Sequence, residues 1–391
     1  MKNSDNLIPV GVIGSGAMGS GIAQVAAMAG HEVFLFDTNP AALEKSHTQL
    51  QQVLDKLQAK GKIADAAGVL SRIRFVNEMN ALQSSGLVIE AIVEQLEVKQ
   101  QVFAGLEAVV DEGCILATNT SSLSITSIAS ACKNPSRVIG LHFFNPAPVM
   151  ALVEIIPAIQ TDAAMPETLR HLMLLWGKSP VIAKDTPGFI VNRVARPFYG
   201  EALRVYEEGL ADMATIDWSM TSLGGFRMGP FALMDYIGHD VNFVVTETVF
   251  RSFFYDDRYK PSFAQKRLLE AGWLGRKSGR GFYHYQEGAS LPEPVQDATL
   301  GKMILERILA MLINEAVDAL HWNIAVKADI ELAMTKGVNY PKGLLQWCDE
   351  MGADYVLSVL DGLYRHYHEP RYRASALLRR MAATRQQFFG E

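Results

Sequence analysis

The chain has 391 residues, 49% hydrophobic and 20% charged, the make-up of an ordinary globular protein with room for two or three cores. A net charge of −6 argues against a general nucleic-acid surface, and no apolar run approaches the length needed to cross a membrane. Cys114, Cys132 and Cys348 cannot all pair and lack metal-ligand spacing, and the N-terminal "MKNSDNLIPVGVIG" has no apolar core followed by a cleavage site, so a cytoplasmic protein without a metal is expected.

In chain order, apolar runs predict strands over Ile8–Gly14, Glu32–Asp37, Ile73–Val76, Leu87–Ile92, Cys114–Asn119, Val138–Phe144 and Leu152–Ile156. Helical patterns such as "NPAALEKSHTQLQQVLDKLQAKG" and "EVKQQVFAGLEAVV" separate them. Continuous apolar strands alternating with helices indicate a parallel sheet covered on both faces. After "KDTPGF" the pattern becomes mainly helical, and "QEGASLPEPVQDATLG" reads as a linker.

Beyond the linker lies an internal repeat. A shift of 114 positions brings Arg193 onto Arg307, Glu201 onto Glu315, Gly229 onto Gly343, Asp235 onto Asp349, Gly238 onto Gly352 and Asp240 onto Asp354, without a gap. The second copy has Glu306 where the first has Asn192, and nothing in it resembles "GRKSGRGFY", so it is read as structural. The expected organisation is an α/β dinucleotide-binding domain over 1–186, a helical domain over 187–285, a linker over 286–300 and a degenerate helical repeat over 301–391.

"VGVIGSGAMGSGIAQVAAMAGHEVFLFD" places Gly14, Gly16 and Gly19 between a strand and an Ala-rich helix, and Asp37 ends the next strand. Gly14 permits a tight turn, Gly16 lets the backbone approach a pyrophosphate, and Gly19 lets helix and strand pack closely. The helix N-terminus, at Ala17 and Met18, offers unpaired N–H groups to phosphates. Asp37 would accept hydrogen bonds from the adenosine ribose and repel a 2′-phosphate, so NAD is favoured over NADP. The alternative is a glycine turn with no ligand.

"GLHFFNPAPVMALVEII" then carries His142 and Glu154 inside apolar segments. A core histidine with a satisfied partner would explain the pair, and so would a general base with its orienting carboxylate. Alone, Ser121 reads as a turn or cap residue, and Asn192 as a helix-start residue.

Taken together, "VIGSGAMGSGIA", "VIEAIVEQLEVKQ", "ATNTSSLSIT", "GLHFFNPAPVMALVEII", "DTPGFIVNRV" and "GRKSGRGFY" resemble the 3-hydroxyacyl-CoA dehydrogenase family, in the family's order and over almost the whole chain. The resemblance implies a Rossmann-type NAD-binding domain followed by helical domains, and NAD-dependent oxidation of an L-3-hydroxyacyl-CoA. It implies His142 as general base, Glu154 as its orienting carboxylate, and Ser121 and Asn192 as partners of the reacting oxygen and the thioester end. It also implies Glu94 and Lys99 near the nicotinamide ribose, Asn119 among the cofactor-binding residues, and Lys277 closing over the cofactor; a solvated surface charge is the other reading of both lysines. Coenzyme A phosphates would meet Lys56 and Lys60, with Lys62 beside them, on a basic helical tip; a solvated helical hairpin is the other reading of these lysines.

Within the family, "FIVNRVARPFYGEA", "IGHDVNFVVT", "GVNYPKGLLQW" and "RYRASALLRR" are similar to the group acting on 3-hydroxyadipyl-CoA in phenylacetate breakdown; 3-hydroxybutyryl-CoA is the alternative substrate. Arg196, one helical turn beyond Asn192, is a candidate for the distal carboxylate of an adipyl chain. A surface position, or a pair with Glu201, would serve as well. The resemblance implies a monomer with an internal pseudo-dimer, or a homodimer. Two other classes remain: a β-hydroxyacid dehydrogenase on free acids, which needs a catalytic Lys absent from "GFIVNRVARPF", and an NAD-binding protein without catalysis.

Overall fold

A computed structural model describes residues 7–390; residues 1–6, part of the N-terminal stretch read above, and residue 391 lie outside the described residues. The chain forms two compact units that divide between Thr186 and Pro187.

The first unit is built on an eight-stranded sheet: β1 (Val10–Ile13), β2 (Val33–Phe36), β3 (Ile73–Val76), β4 (Leu87–Glu90), β5 (Ile115–Thr118), β6 (Val138–Phe143), β7 (Leu152–Pro157) and β8 (Ser179–Ile182). The spatial order is β3-β2-β1-β4-β5-β6-β7-β8. Runs such as VGVI and VFLF are buried at every position, as strands covered on both faces must be. Asn39 caps the Pro40–Ala59 helix through Ala41 N, and Leu43, Leu50 and Leu54 point its apolar stripe inward.

Two features differ from the expected parallel sheet. β7 runs antiparallel to β6, because only residues 144–151 join them and a parallel crossover needs about a dozen residues or more. β8 escapes the apolar-run criterion because its four residues begin with Ser179 and Pro180. It is an edge strand, bonded only to β7, where proline is tolerated.

The second unit holds both helical copies, and the 114-residue shift reappears in its hydrogen bonds. Arg193 Nε donates to Glu315 at 2.7 Å, and Arg307 Nε donates to Glu201 at 2.6 Å. The Tyr259 hydroxyl donates to Glu315 and the Tyr372 hydroxyl to Glu201, a matching pair one residue out of that register. Each copy's arginine therefore meets the other copy's glutamate across a pseudo-twofold contact, with all four residues buried.

Local devices repeat as well. Asp217 accepts the N–H groups of Phe231 and Ala232, and Glu331 accepts those of Leu345 and Gln346. Asp235 accepts Phe282 N and Tyr283 N, and Asp349 accepts Phe388 N and Phe389 N. The second copy thus has a counterpart to the "GFY" end of "GRKSGRGFY". It went unseen in the sequence because backbone N–H groups do the work and any residue can supply them. The Ala298–His321 helix starts inside the expected linker, where Asp297 caps Thr299 N and Leu300 N.

Candidate active site

The glycine loop between β1 and the Ala17–Met28 helix is shaped for close approach. Gly14 has φ +98°, and a Cβ there would stand 2.6 Å from the Ala91 carbonyl oxygen. A Cβ on Gly19 would fall 1.7 Å from the Gly14 carbonyl oxygen, so helix and strand touch as only glycine allows. A Cβ on Gly16 would meet nothing within 4 Å, which leaves an open surface over the loop. No side chain caps this helix, so the N–H groups of its first turn, at Ala17 and Met18, face that opening. These are the features a dinucleotide pyrophosphate requires, and the residues present fit NAD.

Asp37 takes hydrogen bonds from Ser15 N at 2.8 Å, Ser15 Oγ at 2.7 Å and Asn39 N at 2.9 Å. Partial burial pushes its carboxyl up, but those donors outweigh it and hold the group below its ordinary value. It is a carboxylate at neutral pH, as a ribose acceptor must be. Ser15 had no marker in the sequence beyond its place in the loop.

At the carboxyl ends of β4 and β5 a second cluster forms. Glu90, fully buried at the end of β4, accepts Lys99 Nζ at 2.6 Å, Thr118 Oγ1 at 2.7 Å and Ile92 N at 2.7 Å. Lys99 is therefore no surface charge; it is 1% exposed and also reaches Glu94 at 3.3 Å. Glu94 accepts Thr120 Oγ1 at 2.6 Å and Ser121 N at 3.0 Å. Burial raises the Glu94 carboxyl, yet the Lys99 ammonium and those donors bring it below the usual range. Glu94, Lys99 and Ser121 are thus gathered in one place. Glu90, Thr118 and Thr120 were missed, although a carboxylate in the apolar run "LVIEAIVE" was a usable signal.

Asn119 ties this cluster to the next strand, accepting Phe143 N through Oδ1 at 2.7 Å. One residue earlier, His142 on β6 stands directly opposite Glu154 on β7. His142 Nδ1 lies 2.7 Å from Glu154 Oε2, with His142 6% exposed and Glu154 fully buried. The antiparallel register turns a twelve-residue separation into a side-by-side pair.

A groove of about 590 Å³ opens between the Ala17–Met28 and Pro40–Ala59 helices and the turn at Pro146–Val149. Met28, Val53, Leu57 and Val149 give it an apolar lining, and Lys62 stands at its edge. Lys56 and Lys60 are exposed on the same helical tip but do not line it.

Asn192, Arg196 and Lys277 belong to the second unit. Lys277 is half exposed and pairs with Asp240 of its own unit at 2.6 Å. Arg196 is only 7% exposed, so it is not a surface residue, and Glu201 is engaged by Arg307 and Tyr372 rather than by Arg196.

A strand–glycine loop–helix fitted to NAD, with a buried histidine–carboxylate pair on the same sheet, marks a nicotinamide-dependent oxidoreductase. The family model described as 3-hydroxyacyl-CoA dehydrogenase, NAD binding domain, matches residues 9–186, and that for the C-terminal domain matches 188–285 and again 303–387. The chain belongs to the 3-hydroxyacyl-CoA dehydrogenase family. It is 39% identical to the 3-hydroxyadipyl-CoA dehydrogenase of Escherichia coli, over 96% of this chain and 98% of that protein. It is 43% identical to the human mitochondrial hydroxyacyl-coenzyme A dehydrogenase, over 71% of this chain and 91% of that one. Among solved structures, a 3-hydroxybutyryl-CoA dehydrogenase from Escherichia coli superposes with a TM-score of 0.91 at 38% identity, covering 97% of this chain and 99% of that chain. The (S)-3-hydroxybutyryl-CoA dehydrogenase of Ralstonia eutropha gives 0.70 at 39% identity, over 72% and 100%. No helix among the described residues is long and apolar enough to cross a membrane.

Proposed function

We propose that the chain oxidises an L-3-hydroxyacyl-CoA to the 3-oxoacyl-CoA, with His142 as the general base. The observation that carries this reading is the direct opposition of His142 and Glu154 across β6 and β7 at 2.7 Å. With Nδ1 donating to Glu154, Nε2 is the nitrogen that takes the proton of the 3-hydroxyl. The electron pair of that O–H bond closes the C3 carbonyl. NAD, when bound, accepts the hydride that leaves C3. Glu154 fixes the tautomer and favours the imidazolium that forms. Ser121 and Asn192 supply hydrogen bonds to the reacting oxygen and the thioester end. Glu94 and Lys99, locked together by Glu90 and Thr120, hold the nicotinamide side.

The apolar groove edged by Lys62 suits the coenzyme A arm, with the ammonium toward its phosphates. Lys56 and Lys60 add long-range attraction. The acyl group we assign is 3-hydroxyadipyl, since the relative of that name aligns over 96% of this chain, whereas the human hydroxyacyl enzyme aligns over 71%. The name of the Escherichia coli structure with a TM-score of 0.91 favours 3-hydroxybutyryl-CoA as the second reading. The reciprocal Arg193–Glu315 and Arg307–Glu201 pairs support an internal pseudo-dimer, leaving a monomer or a dimer through another surface; light scattering of the whole chain separates the two.

The test is NADH formation with both thioesters side by side. His142→Ala is expected to lower kcat by about 100- to 10,000-fold with NAD binding retained. Unchanged turnover in that variant rejects the assignment of the base.

A further inference from the structure

Arg196 is a buried guanidinium without an anion. Its Nη1 donates to Thr246 Oγ1 at 3.1 Å, and its Cζ lies 5.0 Å from the centre of the Tyr199 ring. Its Nε has no hydrogen-bond partner among the described residues, and no carboxylate of the described residues forms an ion pair with it. The nearby acids are engaged elsewhere: Glu201 by Arg307 and Tyr372, and Glu247 by Arg251.

A second orphan stands in the same cluster. The Tyr340 hydroxyl is buried and also lacks a partner. Its ring packs 5.0 Å from Phe226 and 5.8 Å from Phe198, two residues beyond Arg196. Burial pulls the Arg196 guanidinium down and pushes the Tyr199 and Tyr340 phenols up, and each of these phenols interacts electrostatically with Arg196. The phenols keep their protons and can donate. One cation and two phenolic O–H groups thus converge with no acceptor of matching charge.

The fold does not require this arrangement. Shifted by 114, Arg196, Tyr199 and Thr246 become Ala310, Ile313 and Leu360, each completely buried. The second copy fills the same helix contact with aliphatic side chains. Removing a guanidinium from water without an anion is costly, so a copy that keeps one has another use for it.

We propose that Arg196, with Tyr199 and Tyr340, is the receptor for the distal carboxylate of a dicarboxylic acyl thioester. This rests on the dehydrogenase reading above, which puts Asn192 at the acyl group. Arg196 follows Asn192 by four residues, across Ala195, which ends the short Val191–Val194 helix and precedes the Arg196–Glu207 helix. In an adipyl chain the second carboxylate carbon is only three bonds beyond C3, so its receptor must lie close in the chain to the residue that holds the acyl group. Arg196 offers a planar donor fork, the geometry a carboxylate accepts in bidentate fashion. Tyr340 comes from the second helical copy, which gives the duplication a part in substrate choice.

The experiment compares kcat/KM of the full-length enzyme for 3-hydroxyadipyl-CoA and 3-hydroxyhexanoyl-CoA, which have equal carbon number and differ in the carboxylate. The wild type is expected to prefer the adipyl thioester. Arg196→Met should lower kcat/KM for it on the order of 100-fold while changing the hexanoyl value by no more than about threefold. Tyr340→Phe, which removes one oxygen and no charge, should lower the adipyl value by roughly tenfold, and it keeps the test open if Arg196→Met does not fold. A wild-type preference for adipyl with equal losses on both thioesters in the variants overturns the receptor and leaves the substrate assignment standing. A wild type that prefers hexanoyl overturns the dicarboxylate reading, and the receptor with it.

Discussion

Asp217 and Glu331 stand 114 positions apart and serve the same purpose, each accepting two backbone N–H groups at the start of a helix. Asn192 and Arg196 stand the same distance from Glu306 and Ala310 and share nothing with them chemically. The two helical copies have therefore kept what the fold needs and diverged where the proposed chemistry of the first copy lies. Residues retained in both copies mark structure: the arginine–glutamate exchange, the capping acids, and Gly238 and Gly352 with φ of +99° and +87°. Asn192 and Arg196, present in one copy, are the residues to which the proposal gives a function. Neither copy read alone would separate the two sets.

The largest effect expected from this comparison is on stability. Arg193→Ala leaves Glu315 buried without its principal partner, and Arg307→Ala does the same to Glu201. Each should cost about 3–5 kcal/mol in denaturant unfolding of the full chain, and the two losses should be alike. A large loss from one and none from the other would break the pseudo-twofold reading. Next comes catalysis. Asn192→Ala is expected to lower kcat by about 100- to 1,000-fold, the usual cost of a lost donor where charge develops on oxygen. Glu306→Ala, at the matching place in the second copy, should leave turnover unchanged. Equal losses from both would show that the second copy is more than structural.

The smallest effect concerns pH. Burial pushes the Asp217 carboxyl up to about 6, against hydrogen bonds from Phe231 N, Ala232 N and the Tyr283 hydroxyl. Its folded value lies above its ordinary value of 3.8, so the folded chain binds this proton more readily than the unfolded chain. The contribution of this group to stability should therefore fall as pH rises from 3.8 toward about 6, by at most about 3 kcal/mol. Asp217→Asn should flatten that decline when urea midpoints are compared across the range. Burial also raises Glu331, so Glu331→Gln should act with the same sign.

Much of the dinucleotide site was legible because its requirements are local. Gly14, Gly16, Gly19 and Asp37 lie within one strand–helix–strand passage, and steric rules at single positions select them. Most of the seven marked strands were found for the same reason: a strand buried on both faces is mainly apolar, and β3, with exposed Arg74, departs most from that burial. β8 was not, since Pro180 is acceptable only at a sheet edge and edges are not written in a short run of residues.

The sequence by itself determined the class of fold, the NAD fingerprint and the duplication, because these follow from period and spacing along the chain, while its resemblance to a family supplied the residues of the candidate site. Only the tertiary structure decided that His142 and Glu154 touch, since the antiparallel turn between β6 and β7 sets their register. It alone placed Lys99 in the interior on Glu90, gave Glu201 to Arg307 rather than to Arg196, and left Arg196 buried without an anion. Those outcomes depend on which segments pack together, and a charged side chain's partner is chosen by that packing rather than by its neighbours in sequence.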